Sequence, residues 1–172
     1  MTSRNPAESV SISGMGRITG IYVAAEKTEL PHSVAEVEAL TGQGLAGDRY
    51  ANGVGTFSED GDPKNEVTLI ESEALEALKR EYDIDLSAEA SRRNLLTEGV
   101  ALNHLVGRRF SIGQVELEGV KLCEPCGHLQ SLTAAGVEKG LRHRGGLRAR
   151  IRTGGVIRVG DEFASGANGA SQ

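Results

Sequence analysis

Tryptophan is absent from this 172-residue sequence, and aromatic residues make up only 3% of it. Only two cysteines occur, so a secreted scaffold held by disulfides is excluded and the cytosol is the expected compartment. The longest apolar run covers residues 21–25, far short of the ~18–20 residues that a membrane span requires. The first residues lack the apolar core of a signal peptide. We therefore expect neither secretion nor a membrane partner.

Negative charge is concentrated in the first half of the sequence. Residues 1–91 carry 7 Lys and Arg against 17 Asp and Glu, whereas residues 92–158 carry 12 against 5. Arg outnumbers Lys 14 to 5, and its forked guanidinium suits phosphate and carboxylate. The basic half therefore predicts an anion site, unless basic and acidic stretches simply neutralise each other on the surface. An acidic isoelectric point and six scattered aromatic residues argue against a nucleic-acid partner.

Proline is scarce, at 4 residues, while glycine is abundant, at 23. This balance favours tight turns and bulges over long helices. Residues 11–25 are β-rich and interrupted by three glycines, which predicts a bent strand. Residues 71–82 form the clearest helix, because Ala74, Leu75, Leu78 and Tyr82 fall on one face.

Two hairpins are predicted in the second half of the sequence. Residues 109–118 turn at Gly113-Gln114, and residues 147–159 turn at Gly154-Gly155. Closely spaced short strands with few helices predict a mainly β fold, a mostly antiparallel closed β-barrel with a few short helices. We place this domain at residues 11–163, between flexible tails at residues 1–10 and 164–172.

The two cysteines form a Cys-x-x-Cys motif, Cys123 to Cys126, with Pro125 between them. The spacing fits a thioredoxin-like redox pair, but the flanking hairpins do not supply the expected βαβ unit. It also fits half of a zinc site, although no second pair exists, and it lies one residue from a haem-attachment motif. A single reactive cysteine and two ordinary buried thiols are the remaining interpretations.

Five segments, in order and including the cysteine motif, resemble the MOSC domain, the C-terminal domain of molybdenum cofactor sulfurases that also occurs as free-standing bacterial proteins. They are residues 44–49 (GLAGDR), 93–99 (RNLLTEG), 106–113 (VGRRFSIG), 123–126 (CEPC), and 144–150 (RGGLRAR) with Gly160-Asp161. The resemblance covers roughly residues 12–163 and implies a mostly β, barrel-like fold. It also implies binding of the molybdenum cofactor, molybdopterin, and identifies Cys126 as the functional cysteine.

The resemblance and the chemistry of the cofactor together nominate six residues. Arg49, Arg93, Arg144 and Arg148 would bind the phosphate of the pterin, Asn94 would pair with an edge of its ring, and Cys126 would be the catalytic residue and the molybdenum ligand. Asp48 is predicted to be a structural partner of Arg49 or of loop amides rather than an acid or base. We expect no bound pyridoxal phosphate, and 172 residues leave no room for a desulfurase domain.

Two mechanisms and one non-catalytic function remain open from the sequence. Cys126 either carries a persulfide received from a sulfur donor, or ligates molybdenum in a reductase of N-hydroxylated substrates that needs an electron-transfer protein. The alternative is a carrier of the pterin with a structural Cys126. If Asn94 faces the pocket, Asn94→Leu should lower cofactor occupancy and raise or preserve stability. Arg93→Ala or Arg144→Ala should weaken cofactor binding and change stability little.

Overall fold

A computed structural model describes residues 16–51, 66–125 and 135–165 of the chain. The strands are β1 Arg17–Val23, β2 His32–Val34, β3 Glu36–Leu40, β4 Gly44–Leu45, β5 Val67–Glu71, β6 Leu95–Glu98, β7 Arg109–Ile112, β8 Val115–Leu122, β9 Leu147–Thr153, β10 Gly155–Arg158 and β11 Phe163–Ser165. The helices are α1 Ser72–Tyr82, α2 Ala88–Ser91 and α3 Val137–Gly140, with a 3-10 turn at Leu102–Leu105. The prediction of a mainly β fold with few short helices is confirmed.

The strands form two sheets. One contains eight strands in the order β11-β7-β8-β9-β5-β6-β1-β2, and the other contains three in the order β10-β3-β4. Every pair is antiparallel except β5 and β6, which α1 and α2 connect as a parallel pair. The main hydrophobic core takes side chains from both sheets, among them Phe110 and Phe163, whose rings stack with centroids 5.8 Å apart.

The predicted closed barrel is wrong. The large sheet ends at β11 on one side and at β2 on the other, and within residues 16–51, 66–125 and 135–165 no ladder joins these ends. Strand β2 pairs with the second half of β1, so it occupies that part of the edge which a closing strand would need. The segment before β11 reaches only the start of β1, through an isolated bridge between Arg17 and Glu162 and the backbone hydrogen bonds that flank it. A single bridge does not close a sheet.

The first predicted hairpin is confirmed and the second is wrong. Strands β7 and β8 pair across Gly113-Gln114, but β10 pairs with β3 rather than with β9. The reason lies at Gly154, whose N–H donates to Thr41 Oγ1 at 2.9 Å. A Cβ at Gly154 would lie 2.5 Å from the carbonyl oxygen of Ala39, so this close approach requires glycine. The chain thereby leaves the large sheet and enters the small one.

Helix α1 forms where the apolar spacing predicts it. Ala74, Ala77 and Leu78 are buried, and Ala74 and Leu78 belong with Ile70 of β5 to a second, smaller core. The helix ends at Asp83, which adopts a left-handed conformation and donates its N–H to the last-turn carbonyls. Strand β1 contains the expected irregularity, a register shift between Ile18 and Gly20. Residues 1–15 lie outside the described structure, as do 166–172; residues 164 and 165 of the predicted tail complete β11.

Candidate functional site

The segment leading to the predicted functional cysteine is firmly anchored. Strand β8 ends at Leu122, and the N–H of Cys123 donates to the carbonyl of Gly146 at 2.7 Å. Arg93 Nη2 donates to the carbonyl of Cys123 at 3.1 Å, and Nε of the same guanidinium donates to the carbonyl of Gly145 at 2.8 Å. One arginine thus joins the start of β6 to the cysteine segment and to the loop before β9. Cys126 itself lies outside the described residues.

Two glycines allow this packing. A Cβ at Gly145 would lie 2.6 Å from the carbonyl oxygen of Cys123 and 2.8 Å from Pro125 Cδ. A Cβ at Gly146 would lie 2.1 Å from the carbonyl oxygen of Leu69, and its φ of +122° is one that side chains rarely adopt. Gly145 is therefore explained by close contact with the segment before Cys126, and Gly146 by close contact with β5.

An exposed pair holds the other side of this segment. The carboxylate of Glu124 accepts the N–H of His143 at 2.7 Å through Oε1 and lies 3.0 Å from His143 Nδ1 through Oε2. His143 adopts a left-handed conformation, with φ at +67°. Cys123 and Glu124 are consequently held from two directions, by Arg93 and by His143.

Arg49 forms a buried ion pair with Asp48, which agrees with the structural role predicted for Asp48. Its Nη1 lies 3.2 Å from Asp48 Oδ1, and the exposed fractions of the two side chains are 3% and 0%. Asp48 also accepts the N–H groups of Ala24 and Tyr50. Arg49 Nη2 donates to the carbonyl of Arg92 at 2.9 Å. The geometry therefore gives Arg49 a structural role, linking the turn after β4 to the segment before β6.

Asn94 is fully buried, and its side-chain amide forms hydrogen bonds with residues of two neighbouring strands. Oδ1 accepts Thr68 N–H at 3.0 Å and lies 3.2 Å from Thr68 Oγ1, while Nδ2 donates to the carbonyl of Tyr22 at 3.1 Å. The amide thus joins β1, β5 and the residue before β6. These contacts favour the structural role of Asn94, and its role toward a pterin remains a prediction.

Arg144 and Arg148 differ in their surroundings. Arg144 Nη2 forms an ion pair with Glu81 at 2.9 Å, and this contact lowers the pKa of the Glu81 carboxyl below its ordinary value. Its Nε donates to the carbonyl of Gly140. Arg148 is half-buried on β9, opposite Thr68 on β5 and Lys121 on β8. Through Thr68, Arg148 lies beside Asn94 on the sheet, whereas Arg144 is directed to the end of α1.

Sequence reasoning missed two residues that shape this region. Thr68 supplies the donors for the Asn94 oxygen; a single threonine within the apolar run of β5 is the signal that could have identified it. Arg92 donates to the carbonyls of Lys27 and Glu29, and burial, together with the charge of Arg49, lowers its pKa. Its positive φ of +63° leaves no sequence signal, because arginine is not a residue that favours this conformation.

Arg93→Met is expected to destabilise the protein, contrary to the expectation from the sequence alone. It removes two hydrogen bonds from a charged donor to half-buried carbonyls, at a cost of about 2–3 kcal/mol of unfolding free energy. Arg144→Met is the matched control and should lower stability less, because it removes one hydrogen bond to a carbonyl and an ion pair whose side chains are 32% and 46% exposed. Urea denaturation of the three proteins measures the difference, and equal losses would contradict the anchoring role of Arg93.

The described residues contain no group of three or more His, Cys, Asp or Glu placed to hold a metal ion. Within the same residues no helix is long and apolar enough to cross a membrane.

Comparison with known proteins identifies the family. Residues 57–164 match the MOSC domain. The fold is similar to that of the YuaD protein from Bacillus subtilis, with a TM-score of 0.75 and 16% identity over 91% of this chain and 98% of that one. It is also similar to YiiM from Geobacillus stearothermophilus, with a TM-score of 0.70 and 18% identity over 90% and 77% of the two chains. No curated protein matches significantly. The chain belongs to the MOSC domain family.

Proposed function

We propose that this MOSC protein binds the molybdenum cofactor and that the thiolate of Cys126 is the ligand directed to the metal. The observation that carries the proposal is the anchoring of Cys123 and Glu124 by Arg93, Gly146 and His143. A metal ligand must be held in a fixed position, and this segment fixes the chain immediately before Cys126. Thiolate is also the soft ligand in this sequence that suits molybdenum.

The donor groups of the described residues fit a phosphorylated pterin in part. Arg93 and Arg148 are both half-buried. Arg93 contacts the cysteine segment and Arg148 lies on β9 opposite Thr68 of β5, so these two arginines are the candidates for binding the phosphate. Arg49 and Asn94 are enclosed and would support the site from beneath. Arg144 is held by Glu81 on the end of α1 and is the weakest of the predicted contacts.

When bound, the cofactor supplies a metal centre for electron transfer or for handling sulfur. This chain contributes the thiol of Cys126, and the backbone contacts of Cys123 hold the segment that precedes it. A reductase of N-hydroxylated substrates would need an electron-transfer protein as partner, and a persulfide on Cys126 would need a sulfur donor. We place the protein in the cytoplasm, on the strength of its cysteine content.

Cys126→Ser is expected to lower the molybdenum content of the purified protein by at least about tenfold, since even indirect contacts to a metal contribute that much affinity. Cys123→Ser is the matched control: Cys123 is buried, so its loss should lower the melting temperature but leave most of the metal bound. The measurement is metal analysis with pterin fluorescence, on protein produced in a host that makes the cofactor.

The same experiment separates the alternatives. A mass increase of one sulfur on Cys126 without molybdenum would favour sulfur transfer over metal ligation. Cofactor retained equally by Cys126→Ser would favour a carrier with a structural cysteine. Equal metal loss from both variants at equal stability would indicate that both thiols are ligands, which contradicts the assignment to Cys126 alone.

A further inference from the structure

A cavity of about 420 Å³ lies away from the cysteine segment, where the turn between β3 and β4 meets β5 and β9. Its walls are Thr41, Gly42, Glu66, Arg150, Ile151 and Arg152. The volume is at the small end of the range for ligand pockets, about 300–1,000 Å³. Three of the six lining residues are charged, whereas most ligand pockets are lined mainly by apolar side chains.

Glu66 is the most deeply placed charged group of this cavity, with only 5% of the residue exposed. Its Oε1 accepts the N–H of Ile151 at 2.7 Å, so the carboxyl lies against the backbone between the two arginines. Burial raises its pKa, although the Ile151 hydrogen bond and the charges of Arg150 and Arg152 oppose the rise. One carboxyl oxygen of Glu66 thus accepts a hydrogen bond from the protein, and the carboxylate retains the capacity to accept another from a ligand.

Arg150 supplies the complementary group. Its Nε is buried and has no hydrogen-bond partner among the residues that the structure describes. A buried donor without a partner costs about 1–3 kcal/mol, so such a group in a native protein calls for a ligand or another explanation. Arg152, which also lines the cavity, differs from Arg150 in that its guanidinium forms an ion pair, with Nη1 3.4 Å from Glu118 Oε1.

The two groups together select the ligand. A simple anion that accepted the Arg150 N–H would face the Glu66 carboxylate, and a simple cation near Glu66 would face two arginines. A molecule that carries both charges on a short frame satisfies both groups at once. We propose that this cavity binds a small zwitterion of the amino-acid class, with its carboxylate on Arg150 and its ammonium on Glu66. The proposal does not depend on the molybdenum cofactor.

The test is calorimetric titration of the whole protein with individual L-amino acids, and with sodium acetate, methylammonium chloride and sodium sulfate as partial ligands. At least one amino acid should bind saturably and at least about tenfold more tightly than acetate or methylammonium, because it makes two charge-assisted contacts instead of one. Arg150→Met and Glu66→Gln should each weaken that binding by about tenfold or more.

The variants are chosen so that the fold is kept. Gln at position 66 retains an oxygen that accepts the Ile151 N–H, and Met at position 150 retains the aliphatic part of the side chain. Arg158→Met is the matched control, since Arg158 is exposed on β10 and pairs with Glu36 outside the cavity; its affinity should equal that of the unchanged protein. Melting temperatures verify that all variants are folded.

Two results would overturn the proposal. Absence of saturable binding by every amino acid would show that the cavity is not such a site. Sulfate or acetate binding as tightly as the best amino acid, with no loss in Glu66→Gln, would identify a plain anion site instead. Neither result would bear on molybdenum retention by Cys126, which is measured separately.

Discussion

Asn94→Leu is expected to lower the free energy of unfolding by about 3–5 kcal/mol, a large part of the ~5–15 kcal/mol that stabilises a typical domain. The amide of Asn94 is the shared partner of Thr68 N–H, Thr68 Oγ1 and the Tyr22 carbonyl, all in a buried region. Leucine removes the partner of the Thr68 N–H and of the Tyr22 carbonyl, at about 1–3 kcal/mol each, whereas Thr68 Oγ1 still accepts the backbone N–H of residue 94. The structure therefore reverses the expectation that this substitution preserves stability.

Asn103→Leu is the matched control for this experiment. Asn103 is exposed and donates a single hydrogen bond, to the carbonyl of His143 at 2.8 Å, so its loss should cost about 1 kcal/mol or less. Urea denaturation of both variants gives the comparison. An Asn94→Leu protein as stable as the unchanged one, but poorer in cofactor, would restore the interpretation of Asn94 as a ligand-facing amide.

Asp48→Ala is expected to cost about 3–5 kcal/mol, because it leaves the Arg49 guanidinium buried without its counter-charge. It also removes the acceptor for the N–H groups of Ala24 and Tyr50. The double variant Asp48→Ala, Arg49→Met should recover part of the loss, since an apolar pair of similar volume avoids the uncompensated charge. Equilibrium unfolding of the two single variants and the double variant forms a mutant cycle.

Glu36→Ala supplies the exposed counterpart. Glu36 pairs with Arg158 at 3.1 Å, but both side chains are more than half exposed, so the loss should stay within about 0.5 kcal/mol. A loss in Asp48→Ala no larger than that in Glu36→Ala would mean that the buried pair contributes little. A double variant less stable than the sum of the singles would contradict the charge argument.

Local patterns predicted the elements whose signals are short-range. The apolar spacing of residues 74–78 placed α1, and the Gly113-Gln114 turn between alternating strands placed the first hairpin. The second hairpin failed, because the contacts of Gly154 with Ala39 and Thr41 redirect the chain into the other sheet. A contact between residues more than a hundred positions apart leaves no trace in a local pattern.

The sequence by itself determined the family and the mainly β class, since each depends on residue types at characteristic spacing. It also predicted a structural role for Asp48, and the structure shows that Asp48 contacts both Arg49 and loop amides. Only the tertiary structure decided that the large sheet stays open, because that outcome depends on which strand reaches the free edge of β1. The tertiary structure also decided which of the predicted site residues are buried. Asn94 and Arg93 have similar surroundings in the sequence, yet one amide is buried among strands while the neighbouring guanidinium reaches the cysteine segment. Adjacent residues near a strand point to opposite sides, and only the packing on each side determines what they contact.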